Sequence, residues 1–124
     1  MFGRLAFDRL AFDRTLEACI AAISKAIQVL KNTPISGVEI VGDPKQVKAF
    51  KVKFTGTTFG LIIYSPFEEP DTYQTALSED NESVYGLLGY NDDRKFPTFD
   101  EVLMEIARLN RDVKYIAWLQ SHDM

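Results

Sequence analysis

The sequence predicts an α+β fold, a single-domain two-layer sandwich in which two main helices lie on one face of a mainly antiparallel sheet of about five strands. Two observations support this. Two stretches carry apolar residues at steps of three and four, which is typical of amphipathic helices. Between them lie short alternating or apolar stretches, which are typical of strands. The predicted order is helix, three strands, short helix, strand, helix, strand, and 124 residues suit one domain.

The first helix is predicted from Thr15 to the breaker Asn32-Thr33-Pro34. Its apolar stripe consists of Leu16, Ile20, Ile23, Ile27 and Leu30, with Cys19 beside it as a buried structural thiol.

Ahead of this helix, residues 1–14 form a possible N-terminal arm in which LAFDR occurs twice. Five residues turn a helix by about 500°, so Phe7 and Phe12 would not share a face. Two interpretations stay open. The arm docks on a partner or on a second copy, or the duplication only lengthens the helix.

Residues 37–64 predict a three-stranded unit: a short strand over 37–41, a half-exposed strand over 47–54, and a central strand over 59–64 that is buried on both faces. Gly56 supplies the turn of the hairpin. Lys45, Lys51 and Lys53 share one parity and therefore one face. They form either a patch for an acidic partner, or a solvated face or an edge strand guarded by lysines.

Residues 66–83 form the least regular and most acidic part of the chain, with Asp71 as a possible cap of a short helix over 72–77. A strand is predicted over 84–90 and a turn over 91–93. Thr98 and Glu101 match a capping box. The helix behind it is expected to end near residue 110, followed by a final strand over 113–119 and a polar tail over 120–124. Its apolar face consists of Val102, Leu103, Ile106 and Leu109.

Composition excludes several classes of function. A net charge of −4 and a pI near 4.9 argue against direct binding of nucleic acid. One cysteine and one histidine, His122 in the tail, provide no soft-metal ligand set and no catalytic triad, so no metal and no cofactor are expected. No apolar run is long enough for a membrane span, and charged residues interrupt the N-terminus where a signal peptide would be apolar. A cytoplasmic protein without a membrane partner is expected.

Charge is distributed unevenly along the chain. Residues 66–101 hold ten acidic and two basic residues, whereas residues 44–54 hold four lysines and no acid. Such asymmetry favours a small non-enzymatic module that binds a basic protein surface, for example an inhibitor, immunity or anti-defence protein that masks a nucleic-acid-binding site. The predicted partner-binding residues are Glu68, Glu69, Asp71, Tyr73, Glu79, Asp80, Glu82, Asp92 and Asp93.

Two alternatives remain. The first is a small-ligand or nucleotide sensor that uses Lys51 and Lys53 with backbone groups near Gly86 and Gly89, although no phosphate-binding loop motif is present. The second is a hydrolase that uses the carboxylates on either side of the strand predicted over 84–90, among them Asp80 and Asp92. Acids in a surface loop would lack the burial that raises a carboxyl pKa, which disfavours the hydrolase.

Overall fold

The computed structural model describes residues 2–41, 49–79, 82–83 and 94–122, with side chains at 10–41, 49–79 and 94–122. Two helices and an antiparallel sheet confirm the α+β class. The elements are α1 (Phe2–Asn32), β1 (Val38–Val41), β2 (Ala49–Phe54), β3 (Phe59–Tyr64), β4 (Tyr73–Glu79), β5 (Glu82–Ser83), β6 (Lys95–Phe96) and α2 (Phe99–His122).

The sheet is a meander in which consecutive strands pair from β1 to β5, and β6 also pairs with β4. Every one of these pairings is antiparallel. The predicted turn between β2 and β3 is confirmed, because Gly56 has a φ of 76°, which strains residues with a side chain.

Both helices pack on one face of the sheet. On that face Val52, Leu61 and Leu77 lie side by side in adjacent strands and are fully buried. Ile62, the next residue after Leu61 in β3, points to the opposite face of the sheet together with the residues that pair with it in β2 and β4. All three are only partly buried. The prediction that β3 is buried on both faces is therefore wrong, since the two helices share one layer.

Helix α1 runs through the repeated segment without a break. Its buried stripe consists of Cys19, Ile23, Ala26, Ile27 and Leu30. The burial of Cys19 is as predicted, whereas Ile20 is 39% exposed at the edge of the stripe. The buried stripe, which includes Cys19 and Ala26, is therefore centred slightly to one side of the predicted one.

Helix α2 begins as predicted, with the Thr98 hydroxyl accepting a hydrogen bond from the Glu101 backbone N–H at 3.4 Å. The predicted end near Asn110 and the predicted strand over 113–119 are both wrong, because the helix continues to His122. Val113 is buried and repeats the spacing of Ile106 and Leu109, so the same apolar stripe extends one more turn.

Two hydrogen-bonding side chains fix α2 where that stripe ends. Asn110 donates to the Ser36 carbonyl at 3.1 Å, and Lys114 donates to the Thr55 hydroxyl at 3.1 Å and to the Gly37 carbonyl. These contacts hold the helix against the start of β1 and the turn after β2.

The short helix predicted over 72–77 is also wrong, because this stretch belongs to the strand β4. Tyr73, Thr75 and Leu77 alternate toward the core, and β4 pairs with β3 at six positions. A period of two in burial and a full ladder of hydrogen bonds outweigh the helix-capping tendency of an aspartate. The strand predicted over 84–90 and the turn over 91–93 lie outside the described residues.

The two helices extend beyond the sheet at opposite ends. Helix α1 reaches past the loop between β3 and β4, where residues 10–14 are exposed. Helix α2 reaches past the start of β1, where residues 118–122 are exposed.

Candidate protein-binding surface

The loop between β3 and β4, residues 65–72, contains three of the eight predicted partner-binding acids and has a defined conformation. Backbone N–H groups of Glu69 and Thr72 donate to the carbonyls of Pro66 and Glu69 at 3.1 and 3.0 Å. The Ser65 hydroxyl donates to the Pro70 carbonyl at 2.6 Å. Two consecutive turns thus hold the loop compact and point its acidic side chains outward.

The extended part of α1 packs against this loop. The rings of Phe12 and Phe67 lie 5.1 Å apart between centroids, and the Cys19 thiol lies 3.8 Å from the Pro66 carbonyl oxygen. Phe12 is nevertheless 53% exposed and Phe67 37% exposed. Two aromatic rings with this much accessible surface, fixed by contact with each other, provide preorganised anchors for another molecule.

A groove of about 490 Å³ opens beside Phe67 on the face of the sheet that the helices leave uncovered. Tyr64 and Pro66 form part of its apolar wall and Glu68 part of its polar rim. We call Phe12, Tyr64, Phe67, Glu68 and Glu69 together the aromatic–acidic surface. Apolar rings with a charged border resemble the centre and rim of protein–protein interfaces.

The acids of this loop are exposed and carry little internal neutralisation. Glu69 pairs with Lys95 at 3.1 Å, and about half of each side chain is accessible. Glu68 and Asp71 are exposed as well. An exposed pair of this kind contributes little to folding and can exchange partners, so the loop presents negative charge to a basic molecule.

Tyr73, also predicted to bind a partner, lies in the core. Its hydroxyl donates to the Ala22 carbonyl at 3.2 Å, and its ring packs 5.4 Å from the ring of Phe99. Burial, and to a lesser extent the negative charge of Asp71, raises the pKa of Tyr73 above the ordinary 10.0. The structure thus assigns this side chain to packing between β4 and the two helices.

The other predicted acids are placed apart from the loop. Glu79 lies at the far end of β4, about 20 Å along the strand, and accepts a hydrogen bond from Thr58 at 3.2 Å. Glu82 pairs with it in the backbone ladder of β5. Asp80, Asp92 and Asp93 lie outside the described residues. The acids therefore do not form one continuous patch in the described part of the chain, and an acid–base function for them stays a prediction.

The predicted anion-binding residues Lys51 and Lys53 share the uncovered face of the sheet, as expected from their parity. The Lys51 side chain lies over Gly60, where no Cβ blocks it. Because β2 lies between β1 and β3, the interpretation of these lysines as guards of an edge strand is wrong. Lys45, Gly86 and Gly89 lie outside the described residues.

A charged cluster on α2 was not predicted from sequence. Glu105 is buried and accepts hydrogen bonds from Arg108 and, at 3.4 Å, from Arg94. Asp112 accepts from Arg108 at 3.1 Å. Spacings of three and four residues between these acids and Arg108 were the available signal. For Phe12 the signal was its position four residues before Leu16, on the same stripe.

The described side chains contain no group of histidine, cysteine, aspartate or glutamate that could hold a metal ion. His122, the only histidine, packs on its own helix, with its ring 4.2 Å from the ring of Trp118. Neither α1 nor α2, over its described residues, has an apolar stretch that would cross a membrane.

Comparison with protein-family models, with curated proteins and with solved structures found no match.

Proposed function

We propose that this chain is a small non-enzymatic protein-binding module that recognises a basic surface of a partner protein in the cytoplasm. By masking such a surface it would act as an inhibitor, in the manner of immunity or anti-defence proteins. The observation that carries the proposal is the aromatic–acidic surface, in which exposed rings of Phe12 and Phe67 contact each other beside a groove bordered by Glu68.

The chemistry of this surface defines the partner. The groove accepts an apolar or aliphatic side chain, and the exposed carboxylates of Glu68 and Glu69 pair with lysine or arginine next to it. Long basic side chains meet both demands, since their methylene stems pack on rings while their charged ends reach the carboxylates. A net charge of −4 on the whole chain would also accelerate encounter with such a partner.

Affinity capture tests the proposal. The tagged chain is incubated with an extract of the native source and eluted in steps of rising salt, with mass spectrometry of each step. We expect a stoichiometric basic protein that is released as salt rises, because screening weakens the carboxylate contacts. Phe67→Ala and Glu68→Lys are expected to lower its recovery at least tenfold.

Two variants serve as matched controls. Glu79→Lys makes the same charge change at the far end of β4, and Tyr115→Ala removes an exposed ring from α2. Both are expected to retain the partner. If Glu79→Lys abolished capture while Glu68→Lys retained it, the aromatic–acidic surface would be the wrong site.

A second candidate function is the binding of a small anionic ligand on the uncovered face of the sheet. Lys51 and Lys53 lie together there, and the nearby Ser78 hydroxyl is buried and has no hydrogen-bond partner among the described residues. Nucleotides and inorganic phosphate would then raise the melting temperature of the chain by mass action. A melting temperature that no such compound shifts would eliminate this candidate.

A further inference from the structure

Helix α2 has a second stripe, on the side opposite its buried residues. The stripe recurs at steps of four, three, four, three and four residues, the spacing by which two helices pack along a common seam. Every member is exposed, and the large apolar ones include Met104 at 73% and Trp118 at 54%. Its members are Met104, Arg108, Arg111, Tyr115, Trp118 and His122.

The C-terminal part of this stripe is a row of aromatic rings that pack on one another and on no other element of the described chain. The rings of Tyr115 and Trp118 are stacked with their centroids 6.5 Å apart, and His122 stacks on Trp118 at 4.2 Å. Beyond Val113 no residue of α2 is fully buried. Helical turns without packing are marginal in water, so this extension gains most from a partner that covers the rings.

We propose that the outer stripe of α2 is a homodimer interface in which two copies of α2 pack antiparallel about a two-fold axis near residue 113. When two copies of the stripe run in opposite directions about this axis, the arginines of one copy lie opposite the rings of the other. Each arginine of one copy therefore meets a ring of its partner. The pairs across the axis are Arg111 with Tyr115, Arg108 with Trp118, and Met104 with His122.

The complementarity is one of charge and quadrupole. A guanidinium is attracted to the negative face of an aromatic ring, and tryptophan and tyrosine are the strongest such rings. Methionine sulfur also packs favourably against aromatic rings. A parallel arrangement in register would instead place Arg108 and Arg111 against the same residues of the second copy, and like charges would oppose association.

The arginines are already held in position for these contacts. Arg108 is bonded through its N–H groups to Glu105 and Asp112, and the guanidinium of Arg111 lies 3.9 Å from Asp112. A guanidinium that bonds carboxylates in its own plane can still stack through its face. The two carboxylates also offset the charge that two copies would bring together. This interface is separate from the aromatic–acidic surface and from the arm.

Trp118 is the only tryptophan of the chain and reports on this interface directly. We expect sedimentation velocity across a dilution series to show a monomer–dimer equilibrium. Over the same concentrations the tryptophan emission is expected to shift to shorter wavelength, as the ring leaves water. Arg111→Glu and Trp118→Ala are each expected to weaken dimerisation by about tenfold or more, since every substitution removes two symmetric contacts. Lys53→Glu, the same charge change on the sheet, is the control and should have no effect.

A pair of double variants tests the register. Arg111→Glu combined with Tyr115→Lys places opposite charges at two positions that face each other, and is expected to restore association. Arg111→Glu combined with Trp118→Lys does not, because residue 118 faces residue 108. All of these residues are exposed, so at concentrations where the chain is monomeric each variant should keep the melting profile of the native chain.

Three results would overturn the proposal. A chain that stays monomeric at every concentration has no such interface. A dimer that Arg111→Glu and Trp118→Ala leave unchanged is formed elsewhere, for example through the N-terminal arm. A monomer whose tryptophan emission shifts only on addition of anionic lipid vesicles uses this stripe to bind a membrane surface instead.

Discussion

Among the described residues, Glu105 is the one buried charged side chain, with 6% of its surface exposed. Its two arginine partners are far more accessible, Arg94 at 60% and Arg108 at 48%. Together the three residues connect the segment before β6 to the middle of α2. A buried carboxylate with two bonded cations is costly to disrupt, because its neutral replacement leaves poorer hydrogen bonds in the same space.

Glu105→Gln is therefore expected to lower the free energy of unfolding by about 1–3 kcal/mol. Urea denaturation of the Glu105→Gln variant and of the native chain measures this difference. Glu17→Gln, at an exposed position on α1 with no ion-pair or hydrogen-bond partner among the described side chains, should leave the midpoint unchanged. Equal midpoints for Glu105→Gln and the native chain would show that the cluster does not contribute to folding.

Tyr73 provides a prediction about alkaline pH. Because the pKa of its phenol is raised in the folded chain, the folded state holds this proton more tightly than the unfolded state. The resulting stabilisation is complete below about pH 10 and is lost as the pH rises through the folded pKa. Tyr73→Phe is expected to lower stability by about 1 kcal/mol at neutral pH, where its bond to Ala22 is lost, and to reduce the alkaline loss.

Unfolding free energies at neutral pH and above pH 10 give the comparison. An identical alkaline loss in Tyr73→Phe and the native chain would contradict the raised pKa.

At the scale of elements, β3 depends on close approach of its neighbours. A Cβ on Gly60 would lie 2.9 Å from the Val52 carbonyl oxygen and closer still to the Lys51 side chain. We expect Gly60→Ala to destabilise the chain by about 1–3 kcal/mol, because backbone must move to admit the methyl group.

Gly56→Ala is the comparison, since its added Cβ meets open space and only the positive φ is strained. That strain costs roughly 1 kcal/mol. Thermal unfolding ranks the two variants. A smaller effect at Gly60 than at Gly56 would mean that the strands separate easily at this point.

The elements also show what the sequence could and could not predict. The hairpin of β2 and β3, the burial of Cys19 and the start of α2 at Thr98 were predictable, because each depends on local spacing or a local cap. The end of α2 was missed because Asn110 resembles a helix stop, whereas its side chain bonds Ser36, far away in sequence. For β4 the alternation of Tyr73, Thr75 and Leu77 was present but was outweighed by the acidic, polar context.

The aromatic–acidic surface was predictable only in part. Its acids follow from composition, but the contact between Phe12 and Phe67 joins residues distant in sequence and depends on the length of α1. Likewise, no local pattern shows that Tyr73 lies under both helices while Glu68, a few residues earlier, faces solvent.

For the molecule as a whole, the core begins at Cys19, and the described part of α1 before residue 15 is exposed. Deletion of residues 1–12 is therefore expected to leave a cooperatively folding chain that has lost the ring contact with Phe67 but keeps the α2 stripe. Thermal unfolding and sedimentation check both statements. Loss of a cooperative transition would show that the N-terminal segment belongs to the core.

The most direct test of the proposed function is hydrogen–deuterium exchange of the chain alone and in complex with the protein that it captures. We expect slower exchange in residues 65–72 and in the part of α1 around Phe12, with the uncovered sheet around Lys53 and the far end of β4 unchanged. Exchange that slows only at β1 and β2, or only along α2, would contradict the assignment of partner binding to the aromatic–acidic surface.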